Sequence, residues 1–287
     1  MEKEEKKEKK HMLRIIIIGI ILLIASVILY SRFVGTTGLI VKEYPIKTNE
    51  LSGDYDGLKI VHFTDLHFKS TIDINYVKKL VKKINDLKPD IVVFTGDLVE
   101  DNVTLNEKEV KELTRELDKI NPTIETLAVI GNHDYDHDYW NQIVPNLSWH
   151  ILDNTYEYVY SNSSTPIIFV GFDDLREGTP DYTNAFSYLN TDESDRYTIV
   201  LAHEPDQIEE IKEYDFDLYL AGHSHLGQVR VPGIGAIFTP VGSKKYYDEH
   251  YKIDDTDMYI SGGIGTSLLK LRLFNRPSIN LYRFYTK

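Results

Sequence analysis

Five short apolar runs in this chain each end on aspartate, asparagine or histidine, and no other feature restricts the fold as much. "LKIVHFTDLH" closes on Asp65 and His67, "DIVVFTGD" on Asp97, and "LAVIGNHD" on Asn132, His133 and Asp134. "YTIVLAH" closes on His203, and "LYLAGHSH" on His223 and His225. Runs this short and this continuously apolar fit strands covered on both faces. Segments of helical period separate the first three: residues 76–87, and residues 106–120 with an apolar stripe of Val110, Leu113, Leu117 and Ile120. Strand and helix in alternation predict parallel strands joined by right-handed crossovers, hence an α/β fold. Ligands of open α/β sheets gather beyond the carboxyl ends of the strands. If the five strands share one sheet, or two packed sheets, their polar ends converge.

Such a cluster offers nitrogen and oxygen donors and no sulfur, since the chain has no cysteine. That donor set suits Mn, Fe, Zn, Co or Ni. Asp65, His67, Asp97, Asn132, His203, His223 and His225 are too many for one structural tetrahedral zinc. They fit two divalent ions that share a carboxylate. Each residue also has a plainer reading. A histidine at a strand end can simply be hydrogen-bonded, and Asp65, Asp97 and Asn132 can cap helices or form turns. Gly96, Gly131 and Gly222 stand directly before ligand candidates, for close backbone approach or as ordinary turns. His62 alternates away from the cluster and is expected in the core, whereas His137, His150 and His250 are expected on the surface. Asp173 and Asp174 either line the site or form a turn, and Arg176 is a candidate phosphate contact.

Residues 15–30, "IIIIGIILLIASVILY", carry no charge, and with their apolar flanks the stretch 15–34 approaches the length of a bilayer span. An uncleaved anchor is the expectation. A cleaved signal is the rival, although no A-x-A site follows, and a buried core helix is the third reading. The first fourteen residues hold six Lys/Arg against four Glu, so +2 of the net −13, leaving −15 for the rest. The positive-inside rule then puts the N-terminus in the cytoplasm and the main domain outside, in a single-pass protein of the cell membrane. An acidic remainder disfavours a nucleic-acid polymer as partner. The expected divisions are a charged tail (1–14), an anchor (15–34), a stem (35–56) and one domain (57–287). In "SLLKLRLF" (267–274), leucines alternate with Lys270 and Arg272. This reads as a strand with one wet face, or as a lip on lipid whose cations reach headgroups.

Together "DLH" (65–67), "GD" (96–97), "GNHD" (131–134), His203 and "GHSH" (222–225) resemble the five-block signature of calcineurin-like metallophosphoesterases. The later "GQVRVPGIG" and the C-terminal segment are similar to a bacterial subgroup with an N-terminal membrane or export segment. The resemblance implies a sandwich of two mixed β-sheets flanked by helices, after the N-terminal helix. It implies that Asp65, His67 and His225 hold one metal, that Asn132, His203 and His223 hold the second, and that Asp97 bridges them. His133 would then stabilise charge and protonate the leaving oxygen, with Asp134 orienting it. The expected activity is hydrolysis of phosphodiester or pyrophosphate bonds in a phosphoester substrate, lipid-linked or from the cell envelope. A broad phosphomonoesterase and a non-catalytic binding scaffold are the alternatives.

Overall fold

The computed structural model describes residues 2–191 and 196–286. A helix, α1 (Glu2–Phe33), precedes everything else, and the chain then lays down strands β1 (Ile40–Thr48) and β2 (Lys59–Phe63). Helix α2 (Ile74–Asp86) leads to β3 (Ile91–Thr95), and α3 (Glu107–Leu117) to β4 (Glu125–Val129). A short α4 (Tyr139–Ile143) leads to β5 (Trp149–Ile151), β6 (Thr155–Val159), β7 (Ile167–Gly171), β8 (Thr198–Leu201) and β9 (Leu218–Ala221). The hairpin β10 (Arg230–Val231) and β11 (Gly235–Ala236), then β12 (His250–Ile253), β13 (Thr256–Ile260) and β14 (Ser278–Thr286), complete it.

The strands form two mixed six-stranded sheets, ordered β1-β14-β2-β3-β4-β5 and β12-β13-β9-β8-β7-β6. β2, β3 and β4 are mutually parallel, as are β7, β8 and β9. The five apolar runs thus divide three and two between packed sheets. Alternate residues of one strand enter different cores, because side chains along a strand point to opposite faces. Val92 and Phe94 of β3 meet the helices, while Ile91 and Val93 meet the second sheet. In β8, Ile199 and Leu201 face the first sheet and Val200 faces outward into a third apolar layer. Two covered faces explain why neither strand alternates with polar residues.

Helix α2 starts where the Asp73 carboxylate accepts from the Tyr76 amide, and buries Val77, Leu80, Val81 and Ile84. Helix α3 has a full capping box, Asn106 with Glu109, and buries Leu113 and Leu117. Two segments fold differently from their sequence reading. Residues 40–48, within the expected stem, form an edge strand paired along its whole length with β14. Its Pro45 is tolerable because an edge strand has a free side. Of residues 267–274, 267–270 form bends and only Leu273 makes an isolated bridge, to Val229, so the segment is not a strand, and Arg272 is fully buried instead of reaching toward headgroups.

Helix α1 is long and apolar enough to cross a membrane. Its apolar side chains are exposed, but its C-terminal end is not free. Ser31 and Thr36 are buried, and the Arg272 amide donates to the Ser31 carbonyl at 3.0 Å.

Phe94 lies at the centre of the helix-side core, with ring centroids 4.8 Å from Phe63 and 5.6 Å from Trp149. Phe94→Ala should lower unfolding stability by about 3–5 kcal/mol in denaturant titration. A loss under about 1 kcal/mol would mean that this layer collapses without cost.

Candidate metal centre

The loops after β2, β3, β4, β8 and β9 meet at one end of the sandwich. Asp65, His67 and His225 place ligand atoms within 4.8 Å of one another, and Asp97, His203 and His223 do the same. These are two clusters able to coordinate divalent cations. In the first, His67 Nε2 is 3.0 Å from His225 Nε2, and His225 Nε2 is 3.3 Å from Asp65 Oδ1. In the second, His223 Nδ1 is 3.1 Å from His203 Nε2. Asp97 Oδ2 lies between them, 3.4 Å from His67 Nε2 and 3.2 Å from His203 Nε2.

The free ring nitrogens explain this aim. His203 Nδ1 meets the Thr95 carbonyl at 2.6 Å, which turns Nε2 inward. His223 Nε2 meets the Val241 carbonyl at 2.7 Å, which turns Nδ1 inward. A carbonyl on one nitrogen fixes the ring and leaves the other nitrogen as a ligand. His67 Nδ1 faces Glu100 Oε2 at 3.0 Å, within ion-pair distance but off the line of a hydrogen bond. Arg272 Nη2 stands 3.1 Å behind His225 Nδ1, while the guanidinium donates to the carbonyls of Gly262 and Gly265.

The buried groups here fit a cation by their donor chemistry. Asp65 and Asp97 are essentially inaccessible to water. Burial opposes ionisation of Asp97, yet His203, His133 and His67 together hold its carboxyl well below the usual carboxylate range. Burial likewise opposes ionisation of Asp65, and His225 lowers it. Burial, reinforced by His203, pushes His223 down to about 3, and burial also lowers His225. Those two rings are therefore neutral, the form that binds metal. Asn132, directly after Gly131, is buried and its Oδ1 has no hydrogen-bond partner, so that oxygen is left for a ligand. Against burial, Asp97 and Asp65 raise His203 well above its ordinary value, so a metal there would displace its proton. Buried carboxylates, ring nitrogens and an orphaned amide oxygen together fit divalent ions.

Backbone strain accumulates at these positions. Asp65, His67, Asp97, His223 and His225 all have φ between 40° and 62°. Non-glycine residues adopt that region at a cost, which packed surroundings must sustain. Gly96 and Gly131 let two of the loops touch. A Cβ on Gly96 would come within 2.5 Å of the Gly131 nitrogen, and one on Gly131 within 2.5 Å of Asp97 Oδ1.

His133 and Asp134 do different things from each other. The His133 amide donates to Asp97 Oδ1, and its Nδ1 is paired with Asp101. Burial opposes its charge, but Asp97 and Asp101 push His133 up to about 9. Asp134 accepts from the amides of Asp97, Leu98 and Gly131 at 2.8–3.0 Å. It clamps two loops together, and the carboxylate paired with the His133 ring is Asp101. Glu100, Asp101 and the burial of Arg272 escaped the sequence reading. The only sequence signal for the first two was "GDLVED", with two carboxylates three and four residues past Asp97. Asp173 and Asp174 form the turn, since Asp174 accepts from the amides of Arg176 and Glu177. Arg176 itself lines the cleft. His62 is in the core against Thr95 and Tyr282, and His137, His150 and His250 are exposed.

Asp134→Ala would strip three buried amides of their acceptor. Unfolding stability should fall by about 3 kcal/mol or more, given about 1–3 kcal/mol per unsatisfied buried group. Unchanged stability in denaturant titration would contradict the clamp.

Residues 58–227 match the family described as calcineurin-like phosphoesterase. An uncharacterized metallophosphoesterase of Bacillus subtilis, YkuE, is 32% identical over 258 residues, 88% of each chain. Phosphodiesterase YaeI of Escherichia coli is 30% identical over 228 residues, covering 78% of this chain and 80% of that one. Among solved structures, Haemophilus influenzae NAD nucleotidase superposes with a TM-score of 0.51 at 14% identity, over 72% of this chain and 45% of that longer one, a likeness of fold alone. With its two-cluster centre of the kind catalytic members carry, this chain belongs to the calcineurin-like phosphoesterase family.

Proposed function

We propose that the chain is a membrane-anchored phosphoester hydrolase that uses two divalent ions to cleave phosphodiester or pyrophosphate bonds of lipid-linked or cell-envelope molecules. The observation that carries this reading is Asp97 Oδ2, held between His67 and His203 as a carboxylate that can serve both clusters. Asp65, His67 and His225 would hold one ion, and Asn132, His203 and His223 the other. Bound there, such ions polarise a phosphoryl oxygen and make water a competent nucleophile at neutral pH.

The chain's own residues supply the rest. His133, which lines the cleft, keeps a proton because Asp97 and Asp101 favour its charged form. It donates that proton to the departing oxygen. Arg176 meets a phosphoryl oxygen from the cleft wall. The cleft, about 230 Å³, is walled by the apolar Val229, Ile237, Phe238, Pro240, Leu268 and Leu269, with Ser224, Gln228 and Ser267 among them. Arg176 is the only Lys or Arg among the described residues that line it. A terminal phosphate carries an extra charge and favours more cations, so one arginine and apolar walls suit a diester or pyrophosphate bearing an apolar group. The relative named phosphodiesterase YaeI supports the same preference. Helix α1 would remain in place as the anchor, with the six Lys/Arg of residues 3–14 on the cytoplasmic side and the catalytic domain outside.

A panel of monoesters, diesters, pyrophosphates and phospholipids, each with several divalent metals, tests the substrate class. Diesters or pyrophosphates with an acyl or prenyl chain should turn over fastest, and preference for short monoesters would contradict the reading. His133→Ala should slow hydrolysis about 100- to 10,000-fold when the leaving group is a poor one such as an alkoxide. The loss should be much smaller with nitrophenolate. Equal losses on both would remove the proton-donor role.

A further inference from the structure

We propose that the rim of the metal cleft seats in the bilayer that holds α1, so that the cleft opens onto the headgroup layer. Outside residues 12–34, eleven large apolar side chains are exposed among the described residues, and seven belong to two loops. Ile234, Ile237, Phe238 and Val241 follow the β10 strand, and Leu268, Leu269 and Phe274 precede β14. Ile234 is 74% exposed and Leu268 is 80% exposed. Neither value suits a residue that meets only water, and patches of this kind mark interaction surfaces. Ile237, Phe238, Leu268 and Leu269 all line the cleft.

The occupant follows from where α1 leaves the membrane. The Arg272 amide donates to the carbonyl of Ser31, which lies inside the apolar stretch 15–34. A side-chain carbon on Gly35 would overlap the Arg272 carbonyl oxygen, so the helix exit and this loop touch backbone to backbone. Leu269 is three residues from Arg272 and so within about 11 Å of that contact by chain length alone. The loop therefore sits at the depth where α1 meets the headgroups. The buried guanidinium of Arg272 ties the same loop to the carbonyls of Gly262 and Gly265 and stands against His225. Helix exit, apolar rim and metal ligand form one connected unit.

Charge agrees with a lipid surface. Lys244 Nζ lies 5.1 Å over the Phe238 ring, Lys270 and Arg276 are exposed, and Arg32 ends α1. A chain carrying −15 beyond its first fourteen residues thus sets cations around its apolar rim. Leucine and phenylalanine below headgroups with lysine and arginine among them is the arrangement of an interfacial segment.

This seating rests on the anchoring of α1 proposed above, but not on any choice of substrate. Because the chain lacks cysteine, Ile234→Cys, Leu268→Cys and Glu213→Cys each give one labelling site in the full-length protein. Glu213, exposed in the loop that leads into β9, is the control. Each variant is labelled with an environment-sensitive nitrobenzoxadiazole, reconstituted in phosphatidylcholine–phosphatidylglycerol vesicles, and titrated with lipid spin-labelled near the headgroup. Both rim probes should shift to the blue and be quenched, and the Glu213 probe should do neither. Water-like emission at both rim positions, with intact mass showing α1 present, would overturn the seating alone. Loss of residues 15–34 from the mature protein would overturn seating and anchor together. A blue shift that grows with protein density rather than with lipid would assign the rim to a second copy of the chain and overturn the bilayer. None of these readouts needs turnover, so failure of the substrate reading remains separate.

Discussion

Asp97 is a carboxylate held ionised with almost no access to water, and the rest of the site is arranged around it. An isolated buried charge of this kind is untenable, so it must be paired or must bind metal. Imidazoles approach it from β2, β4 and β8 through His67, His133 and His203. Against burial, Asp97 and Asp65 raise His203 well above its ordinary value, and Asp97 and Asp101 raise His133, so each carboxylate has an imidazole partner, while burial lowers His223 and His225. The carboxylates and ring nitrogens gathered there are the donors that divalent cations take. Asp97 therefore explains why the loops must close on one another and why the site has so many donors.

Holding those donors together costs backbone strain, and the sandwich sustains it. Five of the six residues in the two clusters, all but His203, have left-handed backbone. Each sits two or four residues past a strand that is buried on both faces, where the chain's direction is already fixed. Asp134 then locks the β3 loop to the β4 loop through three amides, and the facing Gly96 and Gly131 permit the approach. Rigid strands with strained ends are a way to preorganise a site before any ion arrives.

Much of this was legible in the sequence because the ligand types recur at one structural position. Each apolar run announces a strand, and its polar end lies within a few residues, so no long-range contact has to be guessed. The alternation of runs with the amphipathic 76–87 and 106–120 likewise points to α2 and α3. What could not be read depends on distant partners. β1 looks like a linker because only Ile46 in it is buried, and its pairing partner β14 lies more than 200 residues away. Arg272 looks like a wet-face cation until the loop folds under α1 and supplies it with carbonyls. Asp101 serves His133 only because the β3 and β4 loops cross. Asp134 follows His133 directly, and that adjacency suggested a partnership that the fold gives to Asp101 instead.

The same loop that steadies His225 also receives the end of α1, so the membrane-directed part of the chain and its metal centre are mechanically continuous. Both depend on the clusters being metal sites that share Asp97. Elemental analysis of the full chain, equilibrated with excess Mn²⁺ or Zn²⁺ and then freed of unbound metal, measures that directly. The account predicts two ions per chain in the wild type and loss of that pair in Asp97→Ala. A wild type that holds one ion or none, or an Asp97→Ala protein that keeps both, would contradict it.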